Sequence, residues 1–223
     1  MNVLTLSDAR DALAAGRAVI LPTDTVFGLG VSVRAVPGPE ALYALKRRDG
    51  GKPVAWLVEG PEALDAYGSA VPPYARRLAE AFWPGALTLV VRAADTVPRA
   101  FQSAAGTIGL RMPASDVALA LIRAAGCPLA VTSANISGRS AVGDAAALDP
   151  LLADATAGVY LPEAAGRERE AKPASPEAPP CAAHASPTDA APLPSTVLDC
   201  TAGYPRVLRE GALPWNVLKG ALR

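Results

Sequence analysis

Along roughly the first 160 positions, short apolar runs alternate with segments of helical periodicity. Residues 18–21, 28–33, 54–58, 86–91, 108–111 and 129–132 are aliphatic stretches of strand length. Between them, Ser7 is placed to cap a helix ending at Gly16. Pro39 suits the first position of a helix closing at Lys46 to Arg48. A helix over 74–82 stops at Trp83-Pro84-Gly85, and Ser115 caps another that runs to Ala125, with Gly126 as its stop. Strands resume at 195–199 and 206–209, and a short helix starts at Pro214. The pattern predicts an α/β fold around a central twisted sheet. It leaves the strand order open.

One stretch breaks the alternation. Residues 162–194 contain eight prolines and ten alanines, and the one large aliphatic there is Leu193. So little apolar surface does not offset the entropy of ordering, so a flexible insertion is expected. Only 29 residues follow it, too few for an independent core, which makes the whole of 1–223 one interrupted domain.

Composition narrows the chemistry. The 223 residues carry 21 Lys+Arg against 21 Asp+Glu, with 51% hydrophobic, 19% charged and 5% aromatic positions. A net charge of zero argues against coating nucleic acid by bulk electrostatics, although a local basic face stays compatible with it. No apolar run is long enough to span a membrane, and no secretory leader is visible at the start. Three cysteines without CxxC spacing (Cys127, Cys181, Cys200) fit a reducing cytoplasm, with Cys127 and Cys200 read as inert core thiols. The single histidine, His184, falls in the Pro/Ala stretch, so Ser-His-Asp, Cys-His and His-metal chemistries have little to build on.

Five polar or glycine-rich islands follow apolar runs, where open α/β sheets bind ligands beyond the carboxyl ends of strands. In 22–30 (PTDTVFGLG), Gly28 and Gly30 would let backbone approach a ligand. A turn held by its own Thr and Asp side chains is the plainer alternative. In 46–53 (KRRDGGKP), the cations Lys46, Arg47, Arg48 and Lys52 suit either a triphosphate or a solvated helix end. In 107–113 (TIGLRMP), Arg111 closes a short strand and could grip a carboxylate or phosphate. In 132–138 (TSANISG), Ser133 and Asn135 offer neutral donors and acceptors, or a helix cap. Ser195-Thr196-Val197 with Arg209 is the fifth. Phe82, Trp83 and Trp215 read as packing, not as a base-stacking series. Many anion-holding groups and almost no general base point to an ATP-using, phosphate-handling enzyme with a small anionic co-substrate. No carboxylate cluster suggests a metal cage, so Mg2+ would be held mainly by ATP phosphates and water.

Taken in order, PTDTVFGLG, KRR…KP, FWPGALTLVV, TIGLRMP, TSANISG, STVLD and VLREGAL resemble the YrdC/Sua5/TsaC family of threonylcarbamoyl-AMP synthases, in its short, TsaC-like form. The resemblance implies a single YrdC-like domain with a twisted open mixed β-sheet, flanking helices and a concave basic cleft. It implies that L-threonine, bicarbonate (or CO2) and ATP give threonylcarbamoyl-AMP, pyrophosphate and water. Partner proteins would then carry the group to adenosine 37 of tRNA, with tRNA itself a further candidate contact. The family's KxR…SxN signature falls on Lys46, Arg48, Ser133 and Asn135 as catalytic residues. Arg48, Lys52, Thr107, Ser133 and Arg209 would contact ATP, and Thr25, Arg111 and Ser195 would line the threonine pocket. Phe27, Asp49, Thr132 and the Ser140-Ala141 pair depart from the family pattern. Two rivals remain at this level: a carbamoyl-adenylate-forming relative, and a non-enzymatic RNA-binding module.

Overall fold

A computed structural model of the protein describes residues 1–47, 53–161 and 192–222. Arg48, Lys52, Cys181, His184 and most of the Pro/Ala stretch therefore lie outside the described residues. In chain order the strands are β1 (Val3–Leu4), β2 (Val19–Leu21), β3 (Gly28–Ser32), β4 (Ala55–Leu57), β5 (Gly68–Ser69) and β6 (Leu87–Ala93). They continue with β7 (Thr107–Arg111), β8 (Leu129–Ser133), β9 (Val159–Tyr160), β10 (Thr196–Asp199) and β11 (Arg206–Arg209). The helices are α1 (Leu6–Ala14), α2 (Glu40–Leu45), α3 (Ala63–Tyr67), α4 (Pro73–Phe82), α5 (Asp116–Ala125), α6 (Pro150–Asp154) and α7 (Trp215–Gly220).

All the strands join one mixed sheet in the order β1-β9-β2-β3-β8-β4-β7-β6-β10-β11, with β5 added beside β6. Pairings β1·β9, β9·β2, β4·β7 and β6·β10 are parallel, and the others are antiparallel. Strands alternate their side chains between two faces, and cross-strand partners share a face. On one face Leu29, Val31, Trp56, Leu89, Val91, Ile108, Leu110, Ala130 and Leu198 are buried under α2, α3, α4, α6 and α7. On the other, α1 and α5 pack on Val19, Leu21, Leu57 and Leu129. They cover only that part of the sheet.

Local chemistry explains the helix ends. Ser115 accepts from the Ala118 amide, and Gly126 stops α5 in the left-handed region at φ 64°. The first helix is capped by Thr5, not by Ser7. The Thr5 hydroxyl accepts from the Asp8 amide, and the Asp8 carboxylate returns to the Thr5 amide, a reciprocal pair unavailable to Ser7. Pro39 sits one position earlier than expected, as the cap of α2 rather than its first residue. Trp83 is buried, with Phe82 and Trp215 packed at the core's edge. Cys200 is fully buried, whereas Cys127 is only half-buried and within 3.2 Å of the Ser32 hydroxyl. Among the described residues no helix is long and apolar enough to cross a membrane.

Candidate active site

The part of the sheet that α1 and α5 leave open is lined by small and polar residues. Gly109 pairs with Ala55, Ala55 with Val131, and Val131 with Gly30. Thr107 and Arg111 lie two residues either side of Gly109, and Ser133 two beyond Val131, so all share that face. Thr88 joins them: a Cβ built on Gly109 would lie 3.4 Å from its methyl. Val197 pairs with Thr88 and with Arg209, continuing the face to the sheet's edge. The expectation that the islands gather beyond carboxyl strand ends is corrected here. Strands β7 and β8 run in opposite directions on either side of β4, so Arg111 and Ser133 end at opposite edges. The site lies on a face instead.

Gly28 and Gly30 also act differently from expectation. A Cβ on Gly28 would sit 2.7 Å from the Val131 Cγ1, and one on Gly30 3.0 Å from its Cγ2. These glycines make room for a side chain on the floor of the site, not for backbone approach to a ligand.

Buried polar groups are the informative ones. Of the buried polar residues, Lys46, Arg111, Asn135 and Ser195 are all candidates named from the sequence, with Thr88 beside them. They form two clusters.

In the first, Lys46 caps the end of α2 and is 3% exposed. Its ammonium donates to the Ser133 carbonyl at 2.5 Å, the Asn135 carbonyl at 2.6 Å and the Asn135 Oδ1 at 3.1 Å. The Ser133 hydroxyl lies at 3.4 Å. The Asn135 carboxamide nitrogen in turn donates to the Ile136 and Arg139 carbonyls at 3.1 and 2.6 Å. Lys46, Ser133 and Asn135 are thus one bracket. Beside it, Ala134, Ile136, Val142, Leu148 and Leu151 help line a hollow of about 530 Å³.

In the second cluster, Arg111 donates from Nε to the Gly85 carbonyl at 2.9 Å, from Nη1 to the Thr25 hydroxyl at 3.0 Å and from Nη2 to Asp24 Oδ1 at 2.6 Å. Both side chains of the ion pair are nearly shut off from solvent, at 7% and 14%. Burial lowers the guanidinium pKa, and Asp24 opposes that shift. Arg209 donates to the Ser195 carbonyl at 2.8 Å and reaches its hydroxyl at 3.3 Å, while that hydroxyl lies 2.9 Å from the Thr88 hydroxyl. Burial lowers the Arg209 pKa, and the charge of Arg111 adds to the effect. Two cations therefore face the same space.

The loop after β2 ties the clusters together. Thr23 locks it by donating to the Val26 carbonyl at 2.6 Å and accepting from the Thr25 and Val26 amides. Its far end is anchored by the Ala134 amide, which donates to the Phe27 carbonyl at 2.8 Å. Thr107 stands apart, about 13 Å along β7 from Arg111, with its hydroxyl 2.7 Å from that of Ser103. From the sequence Asp24 reads only as a loop carboxylate of the first island, and Thr88 is not marked at all. Nothing in PTDT signals a partner 87 positions away.

A half-covered sheet face with a buried ammonium bracket at its edge, two guanidiniums and several hydroxyls defines an α/β protein with a polar site on an open sheet. The chain belongs to the Sua5/YciO/YrdC family, whose profile, described as "Telomere recombination", matches residues 11–170. A protein of Mycobacterium tuberculosis that bears the provisional name threonylcarbamoyl-AMP synthase is 38% identical over 200 residues, covering 90% of this chain and 81% of that one. The crystal structure of Pyrococcus abyssi Sua5 complexed with L-threonine superposes with a TM-score of 0.79 at 25% identity, covering 99% of this chain. This chain spans 61% of the Sua5 length. Escherichia coli YciO shares the fold, with a TM-score of 0.70, 22% identity and coverage of 95% and 96% of the two chains.

Proposed function

We propose that this chain is a threonylcarbamoyl-AMP synthase, a nucleotidyltransferase that uses L-threonine, bicarbonate or CO2, and ATP in the cytoplasm. The observation that carries the reading is the occupancy of one sheet face. A buried guanidinium with a hydroxyl beside it, Arg111 with Thr25, suits the carboxylate of an amino acid. The Lys46–Ser133–Asn135 bracket suits phosphate. Between them Gly109, Ala55 and Thr107 take up little space.

The chemistry asks little else of the protein. The N-carboxylate oxygen of carboxylated threonine attacks the α-phosphorus of ATP, a P–O bond forms to the carbamate, and pyrophosphate departs with its electron pair. Where bicarbonate supplies the carbon, water is the by-product. Proximity and fixed positive charge supply the acceleration. Lys46 and Asn135 hold the Ser133 loop against the phosphates, with Arg48, Lys52, Thr107 and Arg209 as further ATP contacts. Ser195 joins Arg111 and Thr25 around threonine. Magnesium enters as part of the MgATP substrate. The nearby Asp199 carboxylate is engaged by Thr201 and Arg206, which fits a cation carried by phosphates and water. The product serves proteins that transfer the threonylcarbamoyl group to adenosine 37 of tRNA.

The test incubates the protein with MgATP, L-threonine and labelled bicarbonate. A threonine-dependent labelled adenylate is expected, and Arg111→Ala should raise the threonine KM at least about tenfold with the ATP KM nearly unchanged. Pyrophosphate release that does not depend on threonine would overturn the assignment.

A further inference from the structure

Asp24 is a carboxylate that the reading above leaves without a task. It stands in the loop that Thr23 locks, with 14% of its side chain exposed, and only Oδ1 is spent, on Arg111 Nη2 at 2.6 Å. Among the described residues Oδ2 makes no hydrogen bond. Arg111 has five N–H donors, of which three are used, by Gly85, Thr25 and Asp24. One N–H remains on each terminal nitrogen for a bound carboxylate. A carboxylate bound there lies next to Asp24 on the same guanidinium.

Asp24 Oδ2 would then stand beside the bound carboxylate with no donor of its own, where two neighbouring like charges repel and an unpaired acceptor is costly. A ligand that brings its own positive charge or N–H donor beside its carboxylate removes that penalty, and an α-amino acid does both. We infer that Asp24 is a specificity-determining residue: its free Oδ2 receives the α-nitrogen of the amino-acid substrate, so that Arg111 and Asp24 together recognise the zwitterion. With the nitrogen held, the carbamate built on it has one direction to point. A simple carboxylic acid, lacking the nitrogen, meets the repulsion of Asp24 and leaves its acceptor unsatisfied.

The inference rests on the amino-acid site of the proposed function, and calorimetry without ATP separates the two. Two ligands are compared, L-threonine and (3R)-3-hydroxybutanoate, which keeps the carboxylate, hydroxyl and methyl and lacks only the amine. Wild type should bind threonine at least about tenfold more tightly than the hydroxy acid. Asp24→Asn, which keeps an oxygen for Arg111, should bring the ratio of the two dissociation constants severalfold closer to one, and Asp24→Ala should do the same. If Asp24 merely pins Arg111, both ligands weaken by one factor and the ratio stays, which overturns the inference while leaving the function intact. No threonine binding by folded wild type would overturn the function and the inference with it. Circular dichroism of each variant guards against misfolding, and the ratio is read only on folded protein.

Discussion

Lys46 is the residue in which structure and chemistry are hardest to separate. Among the described residues, Ser133 and Asn135 place three carbonyl or carboxamide oxygens within 3.1 Å of its ammonium. Removing the side chain leaves those acceptors without a donor in a nearly closed space. Lys46→Ala should therefore lower stability to urea by about 2–4 kcal/mol as well as abolish turnover. Lys46→Met restores the aliphatic stem but no donor, so it should recover only a minor part of the loss. A change under about 0.5 kcal/mol in both variants would mean that the ammonium is not what holds the bracket. The sequence marks Lys46, Ser133 and Asn135 singly, as polar positions of two islands, and as one set only through the family's KxR…SxN signature. The ion pair of Arg111 with Asp24 it does not mark. It depends on a loop after β2 folding back over the sheet face, and no local pattern encodes where that loop lands.

At the level of elements, what local chemistry specifies was readable and what pairing specifies was not. The helix α5 follows from Ser115 and Gly126 alone, since a hydroxyl cap and a left-handed stop need no distant partner. The two-residue strands β1 and β9 exist only through pairing, with Val3 opposite Val159, Leu4 opposite Tyr160, and Val159 also opposite Ile20 of β2. No periodicity can show in so few positions. The glycines of β3 carry the same lesson. Their function is set by Val131 on the neighbouring strand, where the Cβ position at Gly28 comes within 2.7 Å of a methyl. Gly28→Ala should cost about 1–3 kcal/mol by overpacking. Val131→Ala in the same chain should return at least half of that, giving a coupling energy of about 1 kcal/mol in a double-mutant cycle. Additive effects would mean that the strand bends away and that the floor of the site is not as rigid as drawn.

For the whole molecule the sheet order is the decisive feature, since it puts the Lys46 and Arg111 clusters on one face from segments far apart in sequence. The same order buries Cys200 at the end of β10 in the larger core, beside Tyr74 of α4. Burial, with the charge of Asp199 behind it, pushes the Cys200 thiol up to about 12 from an ordinary 9.0. Burial likewise pushes Tyr74 up to about 12 from 10.0, with its hydroxyl donating to the Ala202 carbonyl at 2.6 Å. The sign follows from proton counting. Below about pH 8 both groups are protonated in the folded and unfolded chains alike, and neither makes stability depend on pH. Between about 9 and 12 the unfolded chain releases protons that the native state keeps, so stability falls as pH rises. The urea midpoint should therefore be lower at pH 10.5 than at pH 8.5, with a single group contributing at most about 1.4 kcal/mol per pH unit. Cys200→Ala should flatten the decline from pH 9 upward, and Tyr74→Phe should flatten it from pH 10 upward. A slope unchanged in both variants would locate the alkaline weakness elsewhere, and not in the arginines of the open face: a pKa lowered by burial makes the native state shed its proton first, so stability rises with pH there.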